Sequence, residues 1–232
     1  RPVYPFALIF LAFGGALYSF GYGQGFTLNQ NDYSALLTFS AIVFWGGCFA
    51  LLYGIRGFQK ASFPIFFLVF MIPIPSVILD KIIYALQVGS TTASEIIFWV
   101  TGVPFQRDGF VFHLPGISVE VAEQCSGIRS SLALLITSVL AGHFFLGRFW
   151  KKLTLAFLVF PVTIVKNAVR IITLSLLGAY VDERWLTGSF LHQSGGFVFF
   201  IPALGFLGLA LWTLTRGGVK DRKRRNESHG KF

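Results

Sequence analysis

Of 232 residues, 54% are hydrophobic, 12% are charged and 28 are phenylalanine, and the mean hydropathy is +0.69, which excludes an ordinary soluble domain. The formal charge of +9 does not point to nucleic acid, because the basic residues lie in short loops and in the tail Arg216 to Lys231, with no interleaved aromatics or recognisable binding motif. Two cysteines exclude a disulfide framework; Cys48 lies inside an apolar run as a small lipid- or core-facing residue, and Cys125 lies at a boundary.

A membrane-crossing helix needs about 20 apolar residues. In chain order the candidates are Phe6 to Tyr22, Ser34 to Tyr53, Phe63 to Leu79, Ser126 to Leu146, Leu153 to Tyr180 and Gly195 to Leu214. No small-residue cleavage site follows the first run, so it is expected to be a retained span rather than a signal peptide. The chain opens on Arg1, and further spans are expected to precede it. The expected fold is an all-α polytopic membrane protein with at least six transmembrane helices, an interfacial helix and a small extracytoplasmic β-hairpin. Residues 1–215 are expected to form a single integral membrane domain and residues 216–232 a basic cytoplasmic tail.

Basic residues in short loops set the orientation. Arg56 and Lys60 follow the second run, Arg148, Lys151 and Lys152 follow the fourth, and the Arg/Lys tail follows the sixth. All three belong in the cytoplasm, so Gly23 to Tyr33, Asp80 to Gln124 and Val181 to Ser194 fall outside and Cys125 faces the extracytoplasmic side. The third run ends in Ile72-Pro-Ile-Pro75, where each proline removes a backbone donor and disfavours helix in its predecessor; a helix terminus near the outer interface is expected. Counting Ile82 to Val103 as a full span would put Arg148 and the tail on opposite sides. Its Gln87, Ser90, Thr91, Thr92, Ser94 and Glu95 suggest an interfacial amphipathic helix instead.

After Pro104 the period changes to two. Phe110, Phe112 and Leu114 alternate with Val111 and His113, and Ile117, Val119 and Val121 alternate with Ser118, Glu120 and Ala122. Between them Leu114-Pro-Gly-Ile117 suits a type II turn, predicting a hairpin that delivers the chain to Cys125.

Cys125 opens the change from a polar stretch to an apolar helix, with Ser126, Gly127 and Arg129 behind it. The positive end of the helix dipole and Arg129, four residues on, both favour a thiolate. In the fifth run, Lys166, Asn167 and Arg170 need a polar destination, since each costs up to about 2.5 to 3.5 kcal/mol at the bilayer centre. If that helix leaves the cytoplasm near Leu153, Arg170 is about 26 Å up its axis, at the depth of Cys125. Asn167 and Arg170 share a face, whereas Lys166 points about a hundred degrees away and is expected to snorkel. His192 enters the last span from the same outer side, so thiol, guanidinium and imidazole converge from three helices. His113 is expected to face solvent, and His143 and His229 are too far toward the cytoplasm. A metal on Cys125, His113 and His192 lacks a characteristic ligand spacing, so no metal and no cofactor are expected. Neither a phosphate loop nor a serine nucleophile elbow is present.

These segments, Cys125-Ser-Gly-Ile-Arg129, Asn167-Ala-Val-Arg170 and His192, resemble those of the exosortase/archaeosortase family, polytopic membrane enzymes of protein sorting. The similarity runs from about Phe63 to Phe200 and takes in Ile72-Pro-Ile-Pro75 and the approach Val119-Glu-Val-Ala-Glu-Gln-Cys125. The resemblance implies a cysteine-dependent peptidase or transpeptidase with Cys125 as nucleophile, His192 as acid/base and Arg170 as third catalytic residue, with Arg129, Asn167, Ser126 and Gly127 as supporting or substrate-binding residues. It implies exported protein substrates with a C-terminal Pro-Glu-Pro motif, a hydrophobic span and a basic tail, processed at the outer face of a bacterial plasma membrane. Membrane lipid is the other expected partner. An alternative reading is a transporter or channel in which Lys166, Asn167 and Arg170 line a path for an anionic solute.

Overall fold

A computed structural model describes residues 4–23, 27–123, 127–182 and 198–216. The chain divides into two compact units, Arg1–Lys81 and Ile82–Phe232. In the first, helices α1 (Tyr4–Gly23) and α2 (Gln30–Lys60) pack antiparallel. Small residues allow that approach: a Cβ on Gly14 would stand 2.8 Å from the backbone nitrogen of Phe44, and one on Gly47 3.0 Å from that of Leu11. Asn29 caps α2 by accepting from the Asp32 amide at 2.8 Å. The helix is interrupted at Gly54, whose φ of 68° is non-helical, so its regular part ends at Tyr53 where the apolar run ends.

The run Phe63 to Leu79 does not form one straight span. Helix α3 (Ser62–Phe67) tightens into a 3-10 turn over Leu68–Met71, the chain is irregular through Ile72-Pro-Ile-Pro75, and α4 (Ser76–Thr101) begins directly after it. The prolines explain the stop. The restart is fixed from α2: Asp32 accepts from the Ser76 amide at 2.6 Å and from its hydroxyl at 2.5 Å, while Asn31 donates to the Ile74 carbonyl at 2.8 Å. A carboxylate at the first amides of a helix is stabilised by the dipole as well as by the hydrogen bonds.

In the second unit, α4 is amphipathic in the opposite sense to that expected. Gln87, Ser90, Thr91 and Ser94 are buried, and Tyr84, Ile96, Trp99 and Val100 are exposed. The polar side is not turned to headgroups because neighbouring chain segments use it. Gln87 reaches a backbone carbonyl and Ser90 a side chain of a later helix.

Next come β1 (Gln106–Asp108), β2 (Val111–Leu114) and β3 (Ile117–Glu120), an antiparallel sheet in the order β1-β2-β3. The expected hairpin is β2–β3, closed by the Leu114–Ile117 pair with Gly116 at φ 86°, as a type II turn requires. β1 is additional: Gln106-Arg107-Asp108 has no apolar alternation and is held by its pairing to β2 and by the ion pair of Arg107 with Glu95 on α4. The inward face of the sheet carries Phe112 and Leu114, which pack with Phe98 of α4 and with Ile171 and Ile172.

The last two residues belong to α6 (Phe149–Tyr180), preceded by α5 (Ile128–Phe145) and followed by α7 (Val198–Arg216). Leu134, Leu155, Val159, Ala203 and Leu207 join these three helices in a second core, and the Lys151 ammonium caps α7 by donating to the Leu214 carbonyl at 2.6 Å. The basic loop before α6 and the end of α7 thus lie together, while the sheet packs toward the other end of α6. Helices α1, α2, α5, α6 and α7 are each long and apolar enough to cross a membrane, with a sixth span if the bent pair Ser62–Met71 and Ser76–Thr101 is counted as one. The all-α polytopic membrane fold with a small sheet is what the sequence leads one to expect; the proposed basic tail from 217 onward lies outside the described residues.

Candidate active site

Helix α5 starts later than its apolar run. Gly127 is its N-cap with φ 76° and ψ 15°, a left-handed conformation that a helix cannot contain. The expectation that Cys125 and Arg129 share a helical face involves Cys125, which lies outside the described residues; the described helix begins at Ile128. Arg129 is exposed in the first turn. The Gly127 carbonyl accepts from the Ser130 hydroxyl and the Ser131 amide, each at 2.9 Å.

Two side chains of α6 close on this turn. A Cβ on Gly127 would lie 3.4 Å from Lys166 Nζ and 3.5 Å from Asn167 Oδ1. Lys166 donates to Ser130 Oγ, and Asn167 donates from Nδ2 to Ser90 Oγ on α4 at 3.1 Å. Adjacent residues of a helix diverge by about 100°, so Lys166 faces α5 and Asn167 faces α4, both inside the protein. Lys166 is 8% exposed and Asn167 1%. The expected snorkelling of Lys166 is thereby corrected: its amine turns inward onto the start of α5.

Asn167 Oδ1 is buried with no hydrogen-bond partner among the described residues, an arrangement that costs free energy unless a donor from elsewhere reaches it. Arg170 is half-buried on the same helix, one turn beyond Lys166. On the incoming side, the Gln87 amide donates to the Val121 carbonyl at 2.6 Å. Among the described residues, Val121 is thus held by Gln87 and the first turn of α5 by Lys166 on Ser130.

Cys125, Ser126 and His192 lie outside the described residues. Of the other expected site residues, the structure brings Gly127 and Asn167 together and leaves Arg129 exposed. It adds Lys166, expected to snorkel, Gln87 and Ser90, expected on an interfacial helix, and Ser130, which the sequence did not single out. The available signal for Lys166 was a lysine directly before the Asn167-Ala-Val-Arg170 segment, one helical turn ahead of its arginine. His113 is exposed and bonded through Nδ1 to Ser118 Oγ at 2.8 Å. Among the described residues no three of His, Cys, Asp or Glu converge as metal ligands.

The family described as transmembrane exosortase (Exosortase_EpsH) matches residues 1–209. No curated protein and no solved structure matches the chain. With the match spanning nearly the whole membrane region, including the Gly127 turn and the helix bearing Asn167 and Arg170, the chain belongs to the transmembrane exosortase family.

Proposed function

We propose that this protein is a membrane-embedded cysteine peptidase or transpeptidase that cleaves C-terminal sorting signals of exported proteins, of the Pro-Glu-Pro type, on the extracytoplasmic side. The observation that carries the reading is the Gly127 turn. There the Cys125-Ser-Gly-Ile-Arg129 and Asn167-Ala-Val-Arg170 segments, some forty residues apart in sequence, meet through Lys166 and Asn167. The site's side is supported by the opposite placement of Arg148, Lys151 and Lys152. At 1.5 Å per residue, Asn167 stands about 22 Å along α6 from Lys152.

In this reading the Cys125 thiolate attacks the scissile carbonyl carbon, and the Arg170 guanidinium stabilises the oxyanion that forms. As the tetrahedral intermediate collapses, the C–N bond breaks and the leaving amine takes a proton from the His192 imidazolium. The product is a thioester on Cys125. An incoming amine then resolves it as transpeptidation, or water resolves it as hydrolysis, with neutral His192 accepting the nucleophile's proton. The transporter alternative gains no support from the inward residues: Lys166 and Asn167 are engaged by Ser130 and Ser90 rather than left to line a conduit.

The test is coexpression of the chain with a tagged Pro-Glu-Pro-type substrate, read by gel shift and intact mass. Wild type is expected to shorten the substrate and inserted Cys125→Ala to leave it whole. Processing that survives Cys125→Ala rejects the nucleophile, and solute flux that persists in the same variant would favour transport.

A further inference from the structure

At the end of the second unit away from the sheet, positive charge gathers where two helix ends meet. Arg148 precedes α6, Lys151 and Lys152 lie in its first turn, and Arg216 ends α7. The Lys151 ammonium ties the two helices together at the Leu214 carbonyl, 2.6 Å away and two residues before Arg216. That bond takes one of its three donors. The Arg216 guanidinium stands 3.7 Å from the centroid of the Trp212 ring, one turn back on α7. Insertion topology asks for positive charge at such an end, but not for cations held in place on neighbouring groups.

The bundle supplies no counter-charge at this end. α5, α6, α7 and the loop between α5 and α6 contain no Asp or Glu. The acidic residues described in this unit lie elsewhere: Glu95 is paired with Arg107 of the sheet, Asp108 and Glu120 are in strands, Glu123 follows β3, and Asp182 lies past the far end of α6. Around the cations the surface is apolar, with Phe149, Trp150 and Trp212 exposed. Aromatic rings beside lysine and arginine at the ends of spanning helices mark headgroup depth, so a fitting partner offers negative charge and hydrocarbon together. A soluble anion offers only the first.

We propose that this end of α6 and α7 is a binding surface for anionic phospholipid, whose headgroup phosphate is taken by Arg148, Lys151, Lys152 and Arg216 while its acyl chains lie against Phe149 and Trp150. The lipid is then a bound partner bridging α6 and α7, beyond being the solvent of the spans. The surface lies within the second unit and does not depend on the reading of the protein as a peptidase.

The experiment equilibrates the full chain with mixed micelles holding equal amounts of phosphatidylglycerol and phosphatidylcholine and counts the retained lipids by native mass spectrometry. Each Lys or Arg at a membrane surface favours an anionic lipid by about fivefold, so wild type is expected to retain phosphatidylglycerol over phosphatidylcholine by about tenfold or more. Lys152→Gln/Arg216→Gln is expected to lower that ratio about tenfold, with the bond from Lys151 to Leu214 left in place. Should this variant fail to insert, Arg216→Gln alone is expected to lower the ratio about fivefold. Arg56→Gln/Lys60→Gln removes the same charge from the first unit and is expected to leave the ratio unchanged. Excess inorganic phosphate at fixed ionic strength is expected not to displace the lipid. A wild-type ratio near one, or an unaltered ratio without Lys152 and Arg216, overturns the proposal. So does an equal fall in the two double variants, which would leave only net charge at work, and so does displacement by phosphate, which would mark a site for a soluble anion.

Discussion

Asn167 on α6 and Ser90 on α4 are joined by a 3.1 Å hydrogen bond between two fully buried side chains. It is a polar contact between helices in a region where water is scarce, so the alternative to the bond is an unsatisfied group. Asn167→Ala is expected to destabilise the protein by about 1 to 2 kcal/mol, and Ser90→Ala by less than about 1 kcal/mol. The double variant should cost less than the sum, since either change already removes the bond. Reversible unfolding in mixed detergent micelles measures all three; strict additivity would show that the pair is not coupled.

Gln87 performs a related task at the incoming flank. Its amide is the donor to the Val121 carbonyl, and the side chain is 6% exposed. Gln87→Leu keeps the volume and removes the donor, which should cost about 1 to 3 kcal/mol for the orphaned carbonyl. Processing should fall by a larger factor than the loss of folded protein explains, because the released segment carries Cys125. Activity normalised to inserted, folded protein is the deciding measurement, and an unchanged normalised rate would mean that Val121 need not be held.

The helices, the β2–β3 hairpin and its Pro115-Gly116 turn were legible because each depends on a local pattern: apolar length, period two, or a residue that accepts positive φ. The direction of α4's polar face was not. Gln87, Ser90, Thr91 and Ser94 form the same stripe whether they meet headgroups or a neighbouring helix, and only tertiary packing decides between them. Lys166 illustrates the same limit at the site. Helical geometry correctly separates it from Asn167 by about 100°, but both directions lead inward because α6 lies between α4 and α5. Asn167 and Gly127 were accessible from their motifs, whereas Ser130 became meaningful only when α5 was seen to begin at Ile128.

In the first unit, Gly14 and Gly15 make an internal comparison. A Cβ on Gly14 would press on the Phe44 backbone at 2.8 Å, while one on Gly15 meets nothing within 4 Å. Gly14→Ala should push α1 from α2 and destabilise the pair by about 1 to 3 kcal/mol, the usual cost of overpacking. Gly15→Ala should be neutral or stabilising by up to about 1 kcal/mol, because alanine is the better helix former. Thermal unfolding of the two variants in one detergent tests the difference; equal effects would mean that α1 and α2 do not rely on close backbone approach.

Gly127 and Gly116 separate the strain of a backbone from the demands of a site. Both have positive φ, 76° and 86°, so alanine at either carries a similar left-handed penalty of about 1 to 2 kcal/mol. Their surroundings differ: a Cβ at Gly116 meets nothing within 4 Å, whereas one at Gly127 lies 3.4 Å from Lys166 Nζ and 3.5 Å from Asn167 Oδ1. Gly116→Ala should therefore lower stability while leaving processing per folded molecule intact. Gly127→Ala should lower stability by a comparable amount and reduce processing by tenfold or more, about 1.4 kcal/mol in the barrier, because either the turn or both α6 side chains must shift. The comparison needs stability and normalised processing from the same preparations. If the two variants lose activity in step with stability, the left-handed turn beside Cys125 is only a helix cap, and the meeting of the two motifs at Gly127 has no catalytic consequence.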